Sequence, residues 1–198
     1  MRLWDEDWVV VGVDEAGRGP LAGPVVAGAV AFEPDVQIDG IGDSKLLKPE
    51  QRNGLERLIQ AQATAWAVAE VDHAVIDRIN ILQATRLAME TAVRQVVEVL
   101  GPERILLLVD GTIPPIGIGR QVNVVKGDRV SFSIGAASIL AKEHRDRIMI
   151  DYDKQYTGYG FARHKGYCTA AHIEALRTLG PCAIHRRSFQ VKALLDNS

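Results

Sequence analysis

The chain has 198 residues, of which 47% are hydrophobic and 24% charged, the balance of an ordinary globular protein with one well-filled core. Its net charge of −2 excludes a uniformly basic nucleic-acid binder, although residues 159–198 carry +4 and the remainder −6. No apolar run is long enough to span a bilayer and the acidic N-terminus lacks a signal-peptide pattern, so we expect a cytoplasmic protein that does not bind membranes.

The hydrophobic pattern predicts strands that alternate with helices, after an initial antiparallel pair of strands. The predicted strands cover residues 9–13, 25–32, 65–71, 105–109 and 121–125. The predicted helices cover residues 49–63, 80–100, 131–155 and 169–179, with a helical turn at 74–79 and a loop at 157–167. This order indicates an α/β fold with a mixed sheet and helices on both faces. We expect residues 1–157 to form the core, and residues 158–198 to form a small helical extension of the same compact domain.

Acidic residues follow three of the predicted strands at the point where each strand ends. Asp14 and Glu15 follow the first strand, Asp110 follows the fourth, and Asp128 follows the fifth after a short glycine turn. Functional crevices in open α/β sheets lie at strand ends, so these carboxylates can converge although they are distant in sequence. Each acid alone is more typical of a surface turn, but four together would repel one another and raise one another's pKa unless cations neutralised them.

Four convergent carboxylates predict a site for two divalent cations. Two such ions roughly 3.5–4 Å apart would neutralise the acids and clamp the attacking and leaving oxygens of a phosphodiester displacement. Oxygen ligands favour Mg²⁺ or Mn²⁺, and the chain offers no Cys/His pattern of the kind that zinc prefers. The two cysteines, Cys168 and Cys182, are expected to be free thiols, with a disulfide between them as the open alternative.

A glycine-rich turn follows the first pair of acids. Gly17 and Gly19 permit positive φ and leave the backbone open to close approach by an anionic ligand. Arg18, between them, is placed to meet a phosphate group. A sequence of this kind is often only a turn, and the adjacent acids are what favour a functional interpretation.

The stretch from Asp14 to Pro24, DEAGRGPLAGP, resembles the opening motif of the type 2 ribonucleases H, and within them bacterial ribonuclease HII. Further similar stretches lie at residues 43–45, 79–82, 136–142 and 185–189, so that the resemblance covers most of the chain. It implies a ribonuclease H-like fold in which residues 158–198 complete a nucleic-acid-binding cleft. It also assigns the four catalytic and metal-binding carboxylates as Asp14, Glu15, Asp110 and Asp128.

The activity that the resemblance implies is metal-dependent endonucleolytic hydrolysis. The enzyme would cut the RNA strand of RNA–DNA hybrids and incise 5′ to single ribonucleotides embedded in duplex DNA, leaving 3′-hydroxyl and 5′-phosphate ends. Two alternatives are a non-catalytic module that binds hybrids in the same cleft and a DNA nuclease of relaxed specificity. The complete carboxylate set argues against the module. We expect a monomer, and the lack of a substrate-binding domain before Asp14 argues against the related type HIII enzyme.

The resemblance also implies which residues contact the substrate. The backbone of Gly17, Arg18 and Gly19 would read the ribose 2′-hydroxyl, the group that separates RNA from DNA. Tyr167 would stack on the sugar of the next deoxynucleotide, whereas the residue type alone favours an aromatic at the edge of the core. Further matched positions would lie near the nucleic-acid backbone, and are otherwise helix caps or solvated charge: Ser44, Lys45, Asn80, Ser138 and Lys142. Four residues are candidate phosphate neighbours without an assigned chemical role: His164, His185, Arg186 and Arg187. Asp146 is expected to form an ion pair on its helix.

Overall fold

The computed structural model of the protein describes residues 8–42, 48–101 and 104–190. Five strands form one sheet: β1 (Trp8–Ala16), β2 (Val25–Ala31), β3 (Ala65–Val71), β4 (Arg104–Asp110) and β5 (Arg120–Val124). They lie side by side in the order β3-β2-β1-β4-β5. β2 is antiparallel to both β1 and β3, whereas β4 is parallel to both β1 and β5. The predicted mixed sheet is therefore confirmed, and β1 lies at its centre.

Seven helices form within these residues: α1 (Pro49–Gln62), α2 (His73–Ile79), α3 (Ile81–Leu100), α4 (Gly127–Val130), α5 (Phe132–Gln155), α6 (Phe161–His164) and α7 (Ala170–Leu179). Four of these helices, α2, α3, α5 and α7, begin at a residue whose side chain accepts a hydrogen bond from the first turn. Ser131 caps α5 in this way and Thr169 caps α7. The prediction of an unbroken loop at 157–167 was wrong, because α6 forms there. A helix of four residues has too few positions to show an apolar period, so neither α6 nor α4 was predicted.

The helix α5 packs closely on one face of the sheet because two strand positions that face it are glycines. A Cβ atom on Gly12 of β1 would lie 2.2 Å from the carbonyl carbon of Ser133, and one on Gly28 of β2 would lie 2.4 Å from the carbonyl oxygen of Ala137. Any side chain at either position would push the helix away from the sheet. The same face also receives α1, whose Leu55 and Ile59 pack in one cluster with residues of α5.

The opposite face of the sheet is covered by α3. Side chains alternate along a strand, so Val11 and Val13 point away from Gly12 and join the apolar side chains of α3. The buried stripe of α3 recurs every three or four residues: Ala84, Ala88, Met89, Ala92, Val93 and Val96. Helices on both faces are therefore confirmed, and they hold β1 and β4 between two apolar layers.

The C-terminal helices pack on the turn that joins β1 to β2. Phe161 of α6 and Leu176 of α7 bury their side chains against Leu21 and Ala22 of that turn and against Met149 of α5. The segment after α7 also pairs with the turn, since the amide of Arg186 donates to the carbonyl of Leu21 at 2.8 Å. The C-terminal segment and the turn thus form one apolar cluster.

Both cysteines are free, so the alternative of a disulfide was wrong. Among the described residues, no helix combines the length and the apolar character needed to cross a lipid bilayer.

Candidate active site

The end of β1 places Asp14 beside Asp110. Val13 pairs with Val109 in the parallel ladder, so the residues that follow each valine lie at the same edge of adjacent strands. Asp14 shares its face with Gly12, and its side chain therefore points toward α5, where the Ser138 hydroxyl donates to it. Only 5% of Asp14 is exposed. Its Oδ1 also accepts a hydrogen bond of 2.7 Å from the amide of Glu15.

Glu15 has one satisfied and one unsatisfied carboxylate oxygen. Its Oε1 lies 3.3 Å from Nη1 of Arg18. Its Oε2 is buried and has no hydrogen-bond partner among the described residues. Buried polar oxygens are nearly always paired, so an orphaned one in a row of acids indicates a site for a ligand with positive charge.

In the group of Asp14, Glu15 and Asp110, which we call the carboxylate site, burial and neighbouring negative charge disfavour the charged forms of Asp14 and Glu15. Burial holds the pKa of Asp14 well above its ordinary value, and the negative charges of Glu15 and Asp110 raise it further. Burial also raises the pKa of Glu15, against the opposing effect of Arg18. The repulsion that the sequence predicted therefore acts on Asp14 and Glu15.

Asp110 and Asp128 are linked through a backbone amide. The amide of Gly127 donates to Oδ1 of Asp110 at 2.6 Å. Asp128 follows directly, buried in the first turn of α4. Within residues 8–42, 48–101 and 104–190, no group of three or more His, Cys, Asp or Glu side chains forms a ready-made metal site. The structure thus brings Asp14, Glu15 and Asp110 to one edge of the sheet, and Asp128 follows the glycine whose amide contacts Asp110.

The glycine turn, residues 17–19, faces Tyr167. A Cβ atom placed on Gly19 would lie 3.9 Å from Cε1 of the tyrosine ring. That ring is 44% exposed, and the Arg145 guanidinium lies 5.8 Å from its centre. Gly17 has a φ of +93°, which a residue with a side chain adopts only under strain. The turn and the tyrosine therefore form two walls of one open surface next to the carboxylate site.

The other residues expected near the nucleic-acid backbone have contacts within the protein. Asn80 caps α3 by accepting from the amide of Gln83 at 3.1 Å, so the cap alternative describes its side chain. Lys142 forms an ion pair with Asp146, which confirms the pairing expected for that acid. Ser44 and Lys45 lie outside the described residues.

Three of the candidate phosphate neighbours were interpreted wrongly. His164, His185 and Arg186 are buried, and their polar atoms are engaged by the protein itself. Arg187 is exposed, and its amide donates to Asp77. Sequence reasoning did not identify Arg145 as a contact of the glycine-turn segment. It named Arg186 but assigned it to a phosphate and not to the backbone of the turn. Arg145 had a weak signal, because it lies at helical spacing between Ala141 and Met149, which are both buried.

A cavity of about 730 Å³ lies away from the carboxylate site and is lined mainly by apolar side chains such as Trp8, Phe32 and Phe132. Trp8 begins β1 whereas Asp14 lies near its end, so the two sites are at opposite ends of that strand. Its lining contains one acid, Glu33, and not the several carboxylates that two-metal phosphodiester chemistry requires.

The order and direction of the strands, with acids at the ends of two adjacent parallel strands, define a nuclease of the ribonuclease H-like class. The fold is similar to the crystal structure of the ribonuclease H2 from Pyrococcus horikoshii OT3. The identity is 27% and the TM-score 0.73, with 91% of this chain and 93% of that chain covered. The chain belongs to the ribonuclease HII family, whose model matches residues 11–192. It is thus a type 2 ribonuclease H.

Individual relatives agree with this assignment. The chain is 54% identical over 181 residues to the ribonuclease HII of Nitrosococcus oceani, covering 91% of this chain and 88% of that protein. The fold is also shared with a structure described as Bst-RNase HIII in complex with Mn²⁺. That match has a TM-score of 0.70 at 19% identity and covers 92% of this chain and 67% of the other.

Proposed function

We propose that this ribonuclease is a metal-dependent endonuclease that hydrolyses the RNA strand of RNA–DNA hybrids. We further propose that it incises 5′ to single ribonucleotides in duplex DNA and leaves 3′-hydroxyl and 5′-phosphate ends. The observation that carries the proposal is the carboxylate site, in which Asp14 is buried beside two further acids and Glu15 has an oxygen without a partner. An arrangement of this kind is unfavourable until a cation shares it.

The donor set fits Mg²⁺ or Mn²⁺. All its side-chain donors are carboxylate oxygens, which are the ligands that hard divalent cations prefer. We assign Asp14, Glu15, Asp110 and Asp128 as the residues that would hold two such ions in the active complex. The chemistry that a pair of divalent ions supplies at such a site is activation of the attacking water and stabilisation of the leaving oxygen.

The chain itself orients the carboxylates. The hydroxyl of Ser138 and the amide of Glu15 fix Asp14, and the amide of Gly127 fixes Asp110. The donors to Asp14 stabilise its charged form, whereas its burial favours the neutral form. Ser138 thus acts on the site through Asp14, which differs from the backbone contact expected from the resemblance. Arg18 neutralises part of the charge on Glu15 and also lies within the glycine turn, where it can meet a phosphate.

Recognition of the substrate falls to the surface between the glycine turn and Tyr167. The backbone of Gly17, Arg18 and Gly19 would contact the ribose 2′-hydroxyl, and the exposed ring of Tyr167 would stack on the adjacent sugar. The position of the ring, 3.9 Å from a Cβ on Gly19, supports this division of roles. Residues assigned to the nucleic-acid backbone are Ser44, Lys45, Asn80 and Lys142.

The incision assay tests the proposal. A duplex with one embedded ribonucleotide, an RNA–DNA hybrid and an all-DNA duplex are each incubated with the protein and Mg²⁺ or Mn²⁺. The proposal expects a nick 5′ to the ribonucleotide, cutting of the RNA strand of the hybrid, and no cutting of all-DNA. Tight binding without cutting would favour the hybrid-binding module. Equal cutting of all three duplexes would favour a nuclease of relaxed specificity.

We also propose that residues 158–198 complete the nucleic-acid cleft and that the protein acts as a cytoplasmic monomer. Tyr167 lies in this C-terminal segment and faces the glycine turn of the core, which supports a shared cleft. The free thiols fit a reducing compartment. Size-exclusion chromatography with light scattering, with and without duplex, tests the monomer.

A further inference from the structure

Arg186 is a buried cation whose hydrogen bonds all go to backbone carbonyls near the glycine turn. Only 2% of the residue is exposed. Its Nη2 donates to the carbonyl of Gly17 at 2.6 Å, and its Nη1 donates to the carbonyl of Arg18 at 2.9 Å. Its Nε donates to the carbonyl of Gly23 at 3.0 Å. The planar guanidinium thus connects both ends of the turn between β1 and β2.

Arg145 approaches the same turn from α5. It donates to the carbonyls of Pro24, Ala22 and Lys165 at 2.9, 3.1 and 3.0 Å. Neither Arg145 nor Arg186 forms a salt bridge within the described part of the chain. We call them the arginine pair. Burying two cations without a carboxylate is costly, and six carbonyl acceptors are the compensation.

The contacts of Arg186 determine where two amides of the glycine turn point. All described peptide bonds are trans, so each carbonyl is directed opposite to the N–H of the following residue. Since the carbonyls of Gly17 and Arg18 are directed at Arg186, the N–H groups of Arg18 and Gly19 are directed away from it. Neither of these amides has a hydrogen-bond partner among the described residues. Two consecutive free donors in such a turn suit an electronegative oxygen of a ligand.

We propose that Arg186 is a positioning residue that aims the amides of Arg18 and Gly19 at the sugar oxygens of the ribonucleotide. The inference rests on the proposed function and deepens it, because it names the group that sets the preference for ribose. Arg186 does not contact the substrate itself, since its side chain is enclosed by the protein. Its neighbour in the pair, Arg145, holds the far end of the turn and the Tyr167 loop through Ala22 and Lys165.

The role requires an arginine. A guanidinium presents donors in a fixed planar fork, which matches three carbonyls at once. A lysine would keep the positive charge but has a single compact ammonium group, so it cannot hold the carbonyls of Gly17, Arg18 and Gly23 in the same plane. A requirement for geometry can thus be separated from a requirement for charge by the single change Arg186→Lys.

The experiment measures ribose preference by binding, so that it does not depend on turnover. Asp14→Asn protein is titrated with two duplexes of the same sequence, one with a single ribonucleotide and one of DNA only, in Mg²⁺ buffer. The ratio of the two dissociation constants is compared among Asp14→Asn alone and the same protein with Arg186→Lys or Arg94→Lys added. Arg94 is an arginine of α3 that is 60% exposed and pairs with Glu90, and it serves as the matched control.

We expect Arg186→Lys to reduce the ribose preference by about tenfold, the loss of roughly one oriented hydrogen bond, while binding to all-DNA duplex is unchanged. Arg94→Lys should leave the ratio unaltered. A preference that survives Arg186→Lys overturns the inference and leaves the proposed function intact. Absence of any preference before Arg186 is changed would instead refute the reading of ribose by this protein.

A second measurement applies if Arg186→Lys fails to fold. In ¹⁵N-labelled Asp14→Asn protein, the amide resonances of Arg18 and Gly19 should shift with the ribonucleotide duplex and shift less with the all-DNA duplex. The Nε–H of Arg186 should exchange slowly with solvent in both complexes because it stays hydrogen-bonded to Gly23. Equal shifts with both duplexes, or fast exchange at Arg186, would contradict the proposed positioning.

Discussion

The carboxylate site and the arginine pair flank the same glycine turn, but they accommodate buried charge in opposite ways. At the carboxylate site, Glu15 has an orphaned oxygen and the pKa of Asp14 is raised by burial and by its acidic neighbours. In the arginine pair, the guanidinium groups of Arg145 and Arg186 donate to six backbone carbonyls. A buried charge with an unpaired atom is suited to bind a ligand, whereas a buried charge with all its hydrogen bonds made holds the backbone in place.

The largest expected effect is the loss of activity when Asp14→Asn removes an acid of the carboxylate site. The variant should lose activity by roughly 10³-fold or more, because a carboxylate that would hold the cation is replaced by a neutral amide. Without metal it should be as stable as the native protein or more stable, since the folded state disfavours the charged form of Asp14. Single-turnover incision and thermal melts measure the two quantities.

Asp151→Asn is the control for this change, because Asp151 is an exposed acid of α5 that pairs with Lys154. It should cut at the native rate. Mg²⁺ should raise the melting temperature of native and Asp151→Asn protein but not of Asp14→Asn. A rate near native in Asp14→Asn would show that Asp14 is not a metal ligand.

A change in the arginine pair should instead lower the free energy of unfolding. Arg145→Met leaves the carbonyls of Ala22, Pro24 and Lys165 without donors, and we expect a loss of about 3–5 kcal/mol in the free energy of unfolding. Arg94→Met should change that free energy by less than about 0.5 kcal/mol, since exposed ion pairs contribute little. Urea unfolding provides both values, and equal losses in the two variants would refute the special role of the buried arginine.

The stability of the protein should depend on pH through three buried histidines, His164, His172 and His185, which we call the histidine cluster. Backbone contacts fix their hydrogen positions, because His172 Nδ1 faces the carbonyl of Tyr167 and His185 Nδ1 accepts from the amide of Cys182. The two Nε2 atoms are 3.0 Å apart, so His185 donates to His172 when both rings are neutral. The third ring, His164, accepts from Gly166 and stacks on His172. A further proton on His172 or on His185 would place a second N–H group opposite one that is already there.

The sign of this effect follows from the folded pKa. Burial, and next the charge of His172, lowers the pKa of His185 from 6.5 to about 4. The unfolded chain therefore binds a proton first, so the contribution is complete above pH 6.5 and is lost as the pH falls toward 4. Its size is up to about 3 kcal/mol. Asp14 acts in the opposite direction, because its raised pKa makes stability fall as the pH rises above its ordinary value of 3.8.

Urea midpoints between pH 4 and pH 7.5 separate the two contributions. Asp14→Asn removes the contribution of Asp14, so that variant should show a steeper rise in stability with pH than native protein without metal. A profile in Asp14→Asn that does not rise between pH 4 and pH 6.5 would contradict the lowered pKa of His185.

The smallest effect concerns the attachment of the segment that carries Arg186. The carboxylate of Asp77 in α2 accepts from the amides of Arg187 and Ser188, both at 2.9 Å, and from the Ser188 hydroxyl. Burial alone raises the pKa of Asp77, but these hydrogen bonds outweigh it and leave the pKa lowered. Asp77→Asn should cost about 1 kcal/mol by urea unfolding at neutral pH. Asp72→Asn, which keeps a capping oxygen for α2, should cost less, and an equal loss would contradict the attachment.

The parts of the fold that were predictable carry local signals. β-Branched runs gave the strands, and the acids at the ends of β1 and β4 followed from the position at which those runs stop. Asn80 could be predicted as a cap because the capping residue is adjacent to the amide that it satisfies. The role of each acid in metal binding stays a prediction.

The arginine pair could not be predicted, because its partners leave no mark in the sequence. Arg186 donates to the carbonyl of Gly17, which is 169 positions away, and every residue has a carbonyl. Composition therefore suggested solvated or phosphate-binding basic residues, and only the folded chain distinguishes a buried arginine from an exposed one such as Arg187. The same reason explains why His185 was misplaced, since its burial depends on α6 and α7 packing over it.

The helix α5 connects the carboxylate site with the arginine pair. Ser138, which contacts Asp14, and Arg145, which holds the glycine-turn segment, both belong to α5 and lie seven residues apart. That separation is two helical turns, or about 10 Å along the axis. Under the proposed function, the geometry of α5 thus sets the distance between the phosphodiester that is cut and the sugar that is recognised. Insertion of a single residue between these positions would rotate them apart by about 100° and uncouple recognition from cleavage.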